Sequence, residues 1–171
     1  MDLKSQLLAE RRAAYVRLQG GFPLPLAGTL YWATLAWAGT VLGPKGWTVI
    51  ALWGSGLIFP LAIGLAQAFR NGFLKDRTAV TDLLLPAFVS MLLFFPMLIA
   101  SLRVAPELAP LILAIGMSLH WPVIGWTYGR TGLYTAHALV RALVCFAIWT
   151  WLPEGRYTLL PASVALVYLA T

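Results

Sequence analysis

Acidic side chains are the scarcest chemistry in this chain. There are six Asp and Glu in 171 residues. All six (Asp2, Glu10, Asp76, Asp82, Glu107 and Glu154) lie outside or at the edges of the long apolar runs. Proton relays and carboxylate-based cation sites place an acid inside the bilayer, so these two classes are excluded. The paired carboxylates of hydrolases and the Asp of a Ser-His-Asp triad are missing for the same reason. Cysteine is nearly absent as well. Cys145 stands alone, which excludes an intrachain disulfide and a Cys-rich metal site. With only two histidines, a zinc centre lacks the three or four ligands it requires. No cofactor is expected.

Charge of both signs is sparse, at 11% against about 25% in ordinary soluble domains. Apolar residues fill the difference at 60%, and the mean hydropathy is +0.81. Disorder is excluded, since a chain this apolar lacks the polarity that keeps chains unfolded. The net charge of +6 does not point to nucleic acid, because no basic patch is interleaved with aromatics. Alternating polarity is also lacking, which removes a transmembrane barrel. The remaining class is an all-α polytopic membrane protein, its partners being membrane lipids.

A helix needs about 20 apolar residues to cross the hydrocarbon core. Six segments qualify as candidates: residues 22–42, 47–69, 83–102, 108–127, 133–152 and a short 157–171. Residues 1–21 form a separate unit, an amphipathic helix with Leu3, Leu7, Ala14 and Leu18 on one stripe, stopped by Gly20-Gly21. Such a helix lies on the membrane surface or docks on a partner surface. Residues 22–171 form the six-helix domain. Lys4, Arg11, Arg12, Arg17, Arg70, Lys75, Arg77 and Arg130 fall on one side, and Lys45, Arg103 and Arg156 on the other. This asymmetry of eight to three predicts cytoplasmic termini in the inner membrane. Oligomeric state is open, a homo-oligomer included. Pro60, Pro86, Pro96, Pro122 and Pro161 fall inside candidate spans, where proline kinks a helix and frees a carbonyl.

Three basic or titratable groups lie inside the spans: His120, His137 and Arg141. A membrane-centre arginine costs about 2.5–3.5 kcal/mol, which something must offset. His137, Arg141 and Cys145 follow i, i+4, i+8 spacing and share one helix face, with Tyr134 one turn earlier. Counted from Arg130, His120 lies ten residues back and Arg141 eleven residues on, so the two share a depth. His120, Tyr134, His137 and Arg141 are therefore the candidate ligand-binding residues. Their pocket is net positive and suits an anion, such as a lipid headgroup phosphate or a small carboxylate. The competing reading has Arg141 hydrogen-bonded to carbonyls freed by Pro122 or Pro86. Among the tryptophans, Trp47, Trp126, Trp149 and Trp151 fall near span ends, as in an interfacial belt. Trp32, Trp37, Trp53 and Trp121 fall deeper, as packing residues.

The stretch His120-Trp121-Pro122-Val123-Ile124-Gly125-Trp126-Thr127-Tyr128 resembles a segment of a family of small bacterial multi-span membrane proteins known only as a domain of unknown function. His120, Gly125, Trp126 and Tyr128 carry the likeness. The resemblance implies an integral membrane protein and brings no chemistry with it. Three function classes follow: a transporter-like or carrier-like binder of an anionic or amphipathic small molecule or lipid; an accessory or scaffold subunit; and a membrane-embedded enzyme using His120 or His137. The enzyme ranks last, because no nucleophile, base and orienting group occur together.

Overall fold

The computed structural model describes residues 2–72 and 75–171; Phe73 and Leu74, in the 70–82 loop, lie outside it. Every regular element among the described residues is a helix. Helix α1 spans Leu3–Arg17 and α2 spans Pro23–Val41. They are followed by α3, Pro44–Ala68; α4, Leu84–Leu92; and α5, Phe95–Val104. The chain continues with α6, Ala109–Gly116; α7, Trp121–Thr127; α8, Thr131–Trp151; and α9, Leu159–Leu169.

All six expected spans are helical, but they are not equivalent. The segments Pro44–Ala68, Thr81–Val104, Pro106–Thr127 and Thr131–Trp151 are long and apolar enough to cross a membrane. Helix α2 carries Thr29, Thr34 and Thr40 and falls outside that set. Helix α9 has 11 residues and reaches about 17 Å. The protein is thus a helical membrane protein with four full-length candidate spans and two further apolar helices packed among them.

Two spans expected as continuous helices are each broken in the middle. The third divides into α4 and α5 at Leu93-Phe94, and the fourth into α6 and α7 across residues 117–120. Proline explains both breaks. Pro96 and Pro122 have no N–H for the carbonyls four residues earlier, Leu92 and Ser118, and their rings crowd those carbonyls. The chain tightens instead into three-residue turns. The Leu93 and Phe94 amides donate to the Ser90 and Met91 carbonyls, and the Ser118 and Trp121 amides donate to the Ile115 and Ser118 carbonyls. The breaks also touch, because a Cβ on Gly116 would lie 2.3 Å from the Phe94 ring. Pro60, by contrast, is carried inside α3 without ending it.

Loops meet at the two ends of the bundle. At one end α1 is docked against the α7–α8 turn. The Arg11 side chain bonds the Trp126 carbonyl, donates to Thr131 Oγ1 at 3.2 Å and lies over the Trp126 ring. Arg130 lies over Tyr15, and Tyr15 meets Tyr128 edge-on. Arg17 pairs with Glu10 at 2.9 Å and with Asp76 of the 70–82 loop at 3.1 Å. Hydrogen bonds to these carboxylates hold the Arg17 guanidinium above its ordinary pKa. Exposed pairs of this kind are worth at most about 1 kcal/mol, so the buried Ala14 and Leu18 do more of the anchoring. At the opposite end Trp149 Nε1 donates to the Glu107 carbonyl at 3.0 Å, and Trp47 packs edge-on against Tyr157.

The core is threaded by α2, which packs along α9 and α3, while α8 packs along α7 and α9. The outer faces are apolar: Val49 and Leu57 on α3, Leu85 and Val89 on α4, and Leu139 and Leu143 on α8 are exposed. Large apolar surface of this kind, on helices long and apolar enough to cross a membrane, suits contact with lipid. Gly39 is where α2 and the chain entering α9 approach most closely. A Cβ there would stand 1.9 Å from the Tyr157 carbonyl oxygen, whereas a Cβ on Gly43 would meet nothing within 4 Å. Gly39→Ala gains about 1 kcal/mol of helix propensity but forces two backbones apart, at about 1–3 kcal/mol. It is expected to lower the melting temperature in detergent, with Gly43→Ala near wild type.

Candidate functional site

The buried residues of α8 are Tyr134, His137, Arg141 and Cys145, the stripe expected from their spacing. Opposite them stands Trp121, 1% exposed at the start of α7. Its ring centroid lies 5.5 Å from Tyr134, 4.6 Å from His137 and 5.2 Å from His120. Tyr168 of α9 adds an edge-on contact at 5.5 Å. Three of the four residues singled out from sequence thus surround one indole, and Arg141 joins them through Tyr168.

Arg141 is fully buried. Its Cζ lies 5.1 Å from the ring centre of Trp32 and 5.1 Å from that of Tyr168. A desolvated cation–π contact is worth about 2 kcal/mol. Two of them offset at least part of the cost of placing the guanidinium in the membrane. The expected carbonyl partners near Pro122 and Pro86 do not appear. Nε and both terminal nitrogens of Arg141 have no hydrogen-bond partner among the described residues. The two rings within cation–π reach of Cζ carry no lone pair that could accept an N–H hydrogen bond.

The other three residues are better held. Tyr134 Oη donates to the Gly20 carbonyl at 3.1 Å, tying α8 to the turn after α1. His137 Nδ1 and Thr171 Oγ1 share a 2.7 Å hydrogen bond, while His137 Nε2 is buried without a partner. His120 packs against Phe88 at 5.1 Å, and its Nδ1 is likewise buried and unpartnered. His120 and Arg141 are joined through the Trp121 and Tyr168 rings rather than by a hydrogen bond, so the depth inferred by counting agrees with a shared cluster.

Two clefts flank this cluster. One, of about 380 Å³, opens between α3 and α4 and is lined by Ile58, Phe59, Phe88, Met117, His120 and Tyr168 among others. The second, of about 260 Å³, lies beneath the α1 end and is lined by Tyr15, Gln19, Thr29, Tyr134 and Tyr168 among others. A wider hollow of about 790 Å³ at the opposite end includes Lys45, Glu107 and Tyr157 and is remote from Arg141.

The model of one family matches residues 7–171, which is nearly the whole chain including most of α1. The protein belongs to the family of unknown function DUF7010. This agrees with the resemblance read from His120, Gly125, Trp126 and Tyr128. No curated protein and no solved structure matches the chain.

The aromatic cage was not foreseen. Trp32 was read as generic packing and Tyr168 carried no signal at all. Three other tryptophan assignments are corrected. Trp37 and Trp53, expected as deeper packing residues, are 66% and 80% exposed on the apolar surface. Trp47, expected in an interfacial belt, is fully buried and donates from Nε1 to the Leu35 carbonyl at 2.9 Å. Hydropathy treats lipid-facing and core-facing indoles alike, so only packing separates them. Trp121→Ala should therefore lose about 3–5 kcal/mol of stability and Trp53→Ala far less, as read by thermal unfolding in detergent.

Proposed function

We propose that this membrane protein is a carrier-like binder of an anionic amphiphile, with Arg141 as the group that recognises the acidic head and His120, Tyr134 and His137 around it. The observation that carries this reading is the unpartnered N–H edge of a fully buried arginine. Glu10 lies on α1 and pairs with Arg17, and the other acidic side chains lie in loops, short turns or at the α1 N-cap, so no side-chain carboxylate is built into the middle of the bundle to meet it. A bidentate acidic group is the ligand chemistry that matches these unpartnered guanidinium donors. The cleft beside His120 and Tyr168 supports an amphiphile over a small hydrophilic anion, because its lining is almost wholly apolar.

The test uses the purified protein in detergent with laurate and, as an uncharged match, dodecanol. Laurate is expected to raise the melting temperature and dodecanol to leave it nearly unchanged. Arg141→Leu should fold as well as the wild type or better, because replacing a buried charge by an apolar residue is often stabilising, and should lose the laurate effect. Equal stabilisation by both probes, or an undiminished laurate effect in Arg141→Leu, overturns the reading.

One observation favours a second reading. The aromatic faces around Arg141 close completely, leaving it without exposure, which suits an accessory or scaffold subunit in which the arginine braces helices. That reading expects Arg141→Leu to change stability with no probe-dependent component.

The proposal includes an orientation with both termini in the cytoplasm of an inner-membrane protein. In support, the eight basic residues of the richer side fall in α1, in the 70–82 loop and at the α7–α8 turn, which meet at one end of the bundle through Arg17–Asp76 and Arg130–Tyr15. In a Cys145→Ser background, an impermeant maleimide applied to intact cells should label Lys45→Cys and spare Lys75→Cys. The reverse pattern would invert the assignment.

A further inference from the structure

Tyr168 lines both the α3–α4 cleft and the cleft beneath α1, and no other described residue does so. Its ring covers the Arg141 guanidinium on one side and meets Trp121 and His137 on the others. It is the partition between a bilayer-facing space and a space at the loop-bearing end. No hydrogen bond among the described residues tethers its hydroxyl, and the helix facing it has no side chain at the point of contact. That point is Gly28 of α2, where a Cβ would lie 2.7 Å from the Tyr168 ring. The ring is thus held by packing alone, against a glycine.

From these observations we infer that Tyr168 is the gate between the two clefts. Turning its ring off Arg141 joins them into one path and brings the guanidinium edge into that path. A single-tailed acidic amphiphile fits this route, and that choice of ligand rests on the binding reading given above. The tail lies in the apolar α3–α4 cleft against Phe59 and Phe88, and the acidic head passes His120 to reach Arg141. The cleft beneath α1, lined by Tyr15, Gln19 and Tyr134, is the polar exit. Because the gate works by the bulk and packing of the ring, Tyr168→Phe preserves it. Tyr168→Ala removes it, and Gly28→Ala displaces it while leaving the tyrosine in place.

Met117 lines the bilayer-side cleft and is buried, so a cysteine there reports whether the two spaces are joined. In a Cys145→Ser, Met117→Cys background reconstituted in liposomes, a small anionic methanethiosulfonate cannot arrive through lipid and must come by the polar exit. Labelling is expected to be at least tenfold faster in Tyr168→Ala and in Gly28→Ala, and unchanged in Tyr168→Phe. The use of two opening variants covers the case in which one fails to fold. A second measurement follows quenching of the buried tryptophans by brominated laurate, in a background with the exposed Trp37, Trp53 and Trp151 each changed to Phe; its onset should accelerate in the same two variants. Unchanged labelling in both opening variants, or fast labelling in Tyr168→Phe, overturns the gate. Faster labelling with no quenching in any variant keeps the gate but overturns the amphiphile as its ligand and, with it, the binding reading.

Discussion

A guanidinium buried in an apolar bundle without a carboxylate is the constraint around which this structure is arranged. Arg141 is fully enclosed, and the groups that enclose it come from different helices: Trp32 from α2 and Tyr168 from α9, while the arginine itself belongs to α8. Contact of the cation with both rings in this state sets the separation of α2, α8 and α9. The glycine at position 28 follows from the same demand, since a methyl group there would push the Tyr168 ring out of place. A short helix such as α9, too brief to span on its own, gains its position from this arrangement and from its long contact with α2.

The proline breaks supply the other half of the site. In an unbroken fourth span, His120, Trp121 and the α6 residues would follow one helical screw. The break before Pro122 lets α7 take its own direction and sets Trp121 at its first position, facing α8. The break before Pro96 lies beside it, with Phe94 pressed on Gly116. Discontinuous helices are tolerated in a membrane where the irregular backbone is buried in protein or lines a cavity. Both conditions hold here, since Phe94 is buried and Met117 and His120 line the α3–α4 cleft.

Much of this was legible from residues and spacing. The six helical segments follow from apolar run length, the stop after α1 from Gly20-Gly21, and the buried stripe of α8 from the four-residue repeat of His137, Arg141 and Cys145. These features are local, so sequence distance encodes them. The breaks were legible only as kinks, because proline marks where a helix is weakened but not whether its neighbours repair it; Pro60 sits in a continuous α3 and Pro122 does not. The competing expectation of carbonyl partners for Arg141 is not met, and its ring neighbours carry no sequence signal. Trp32 and Tyr168 are more than a hundred and twenty-five residues apart, and nothing in either local sequence says that they face one cation. The same limit explains the tryptophans, since burial of Trp47 and exposure of Trp53 depend on rotation of α3 against α2, which run length does not fix.

The cage and the unpartnered nitrogens fit together as parts of one electrostatic arrangement. A guanidinium has two faces and an edge, with different needs. The faces are satisfied by π-electron density, which offsets the cost of charge but accepts no hydrogen bond in the plane. The edge holds the donors, and in a low-dielectric interior an unfilled donor is expensive in proportion to how well water is excluded. A structure that needed only to brace three helices would be served by an apolar side chain in place of Arg141, at no loss of packing. Arg141 instead keeps a buried charge beside two rings, with all three of its side-chain nitrogens left without a hydrogen-bond partner among the described residues.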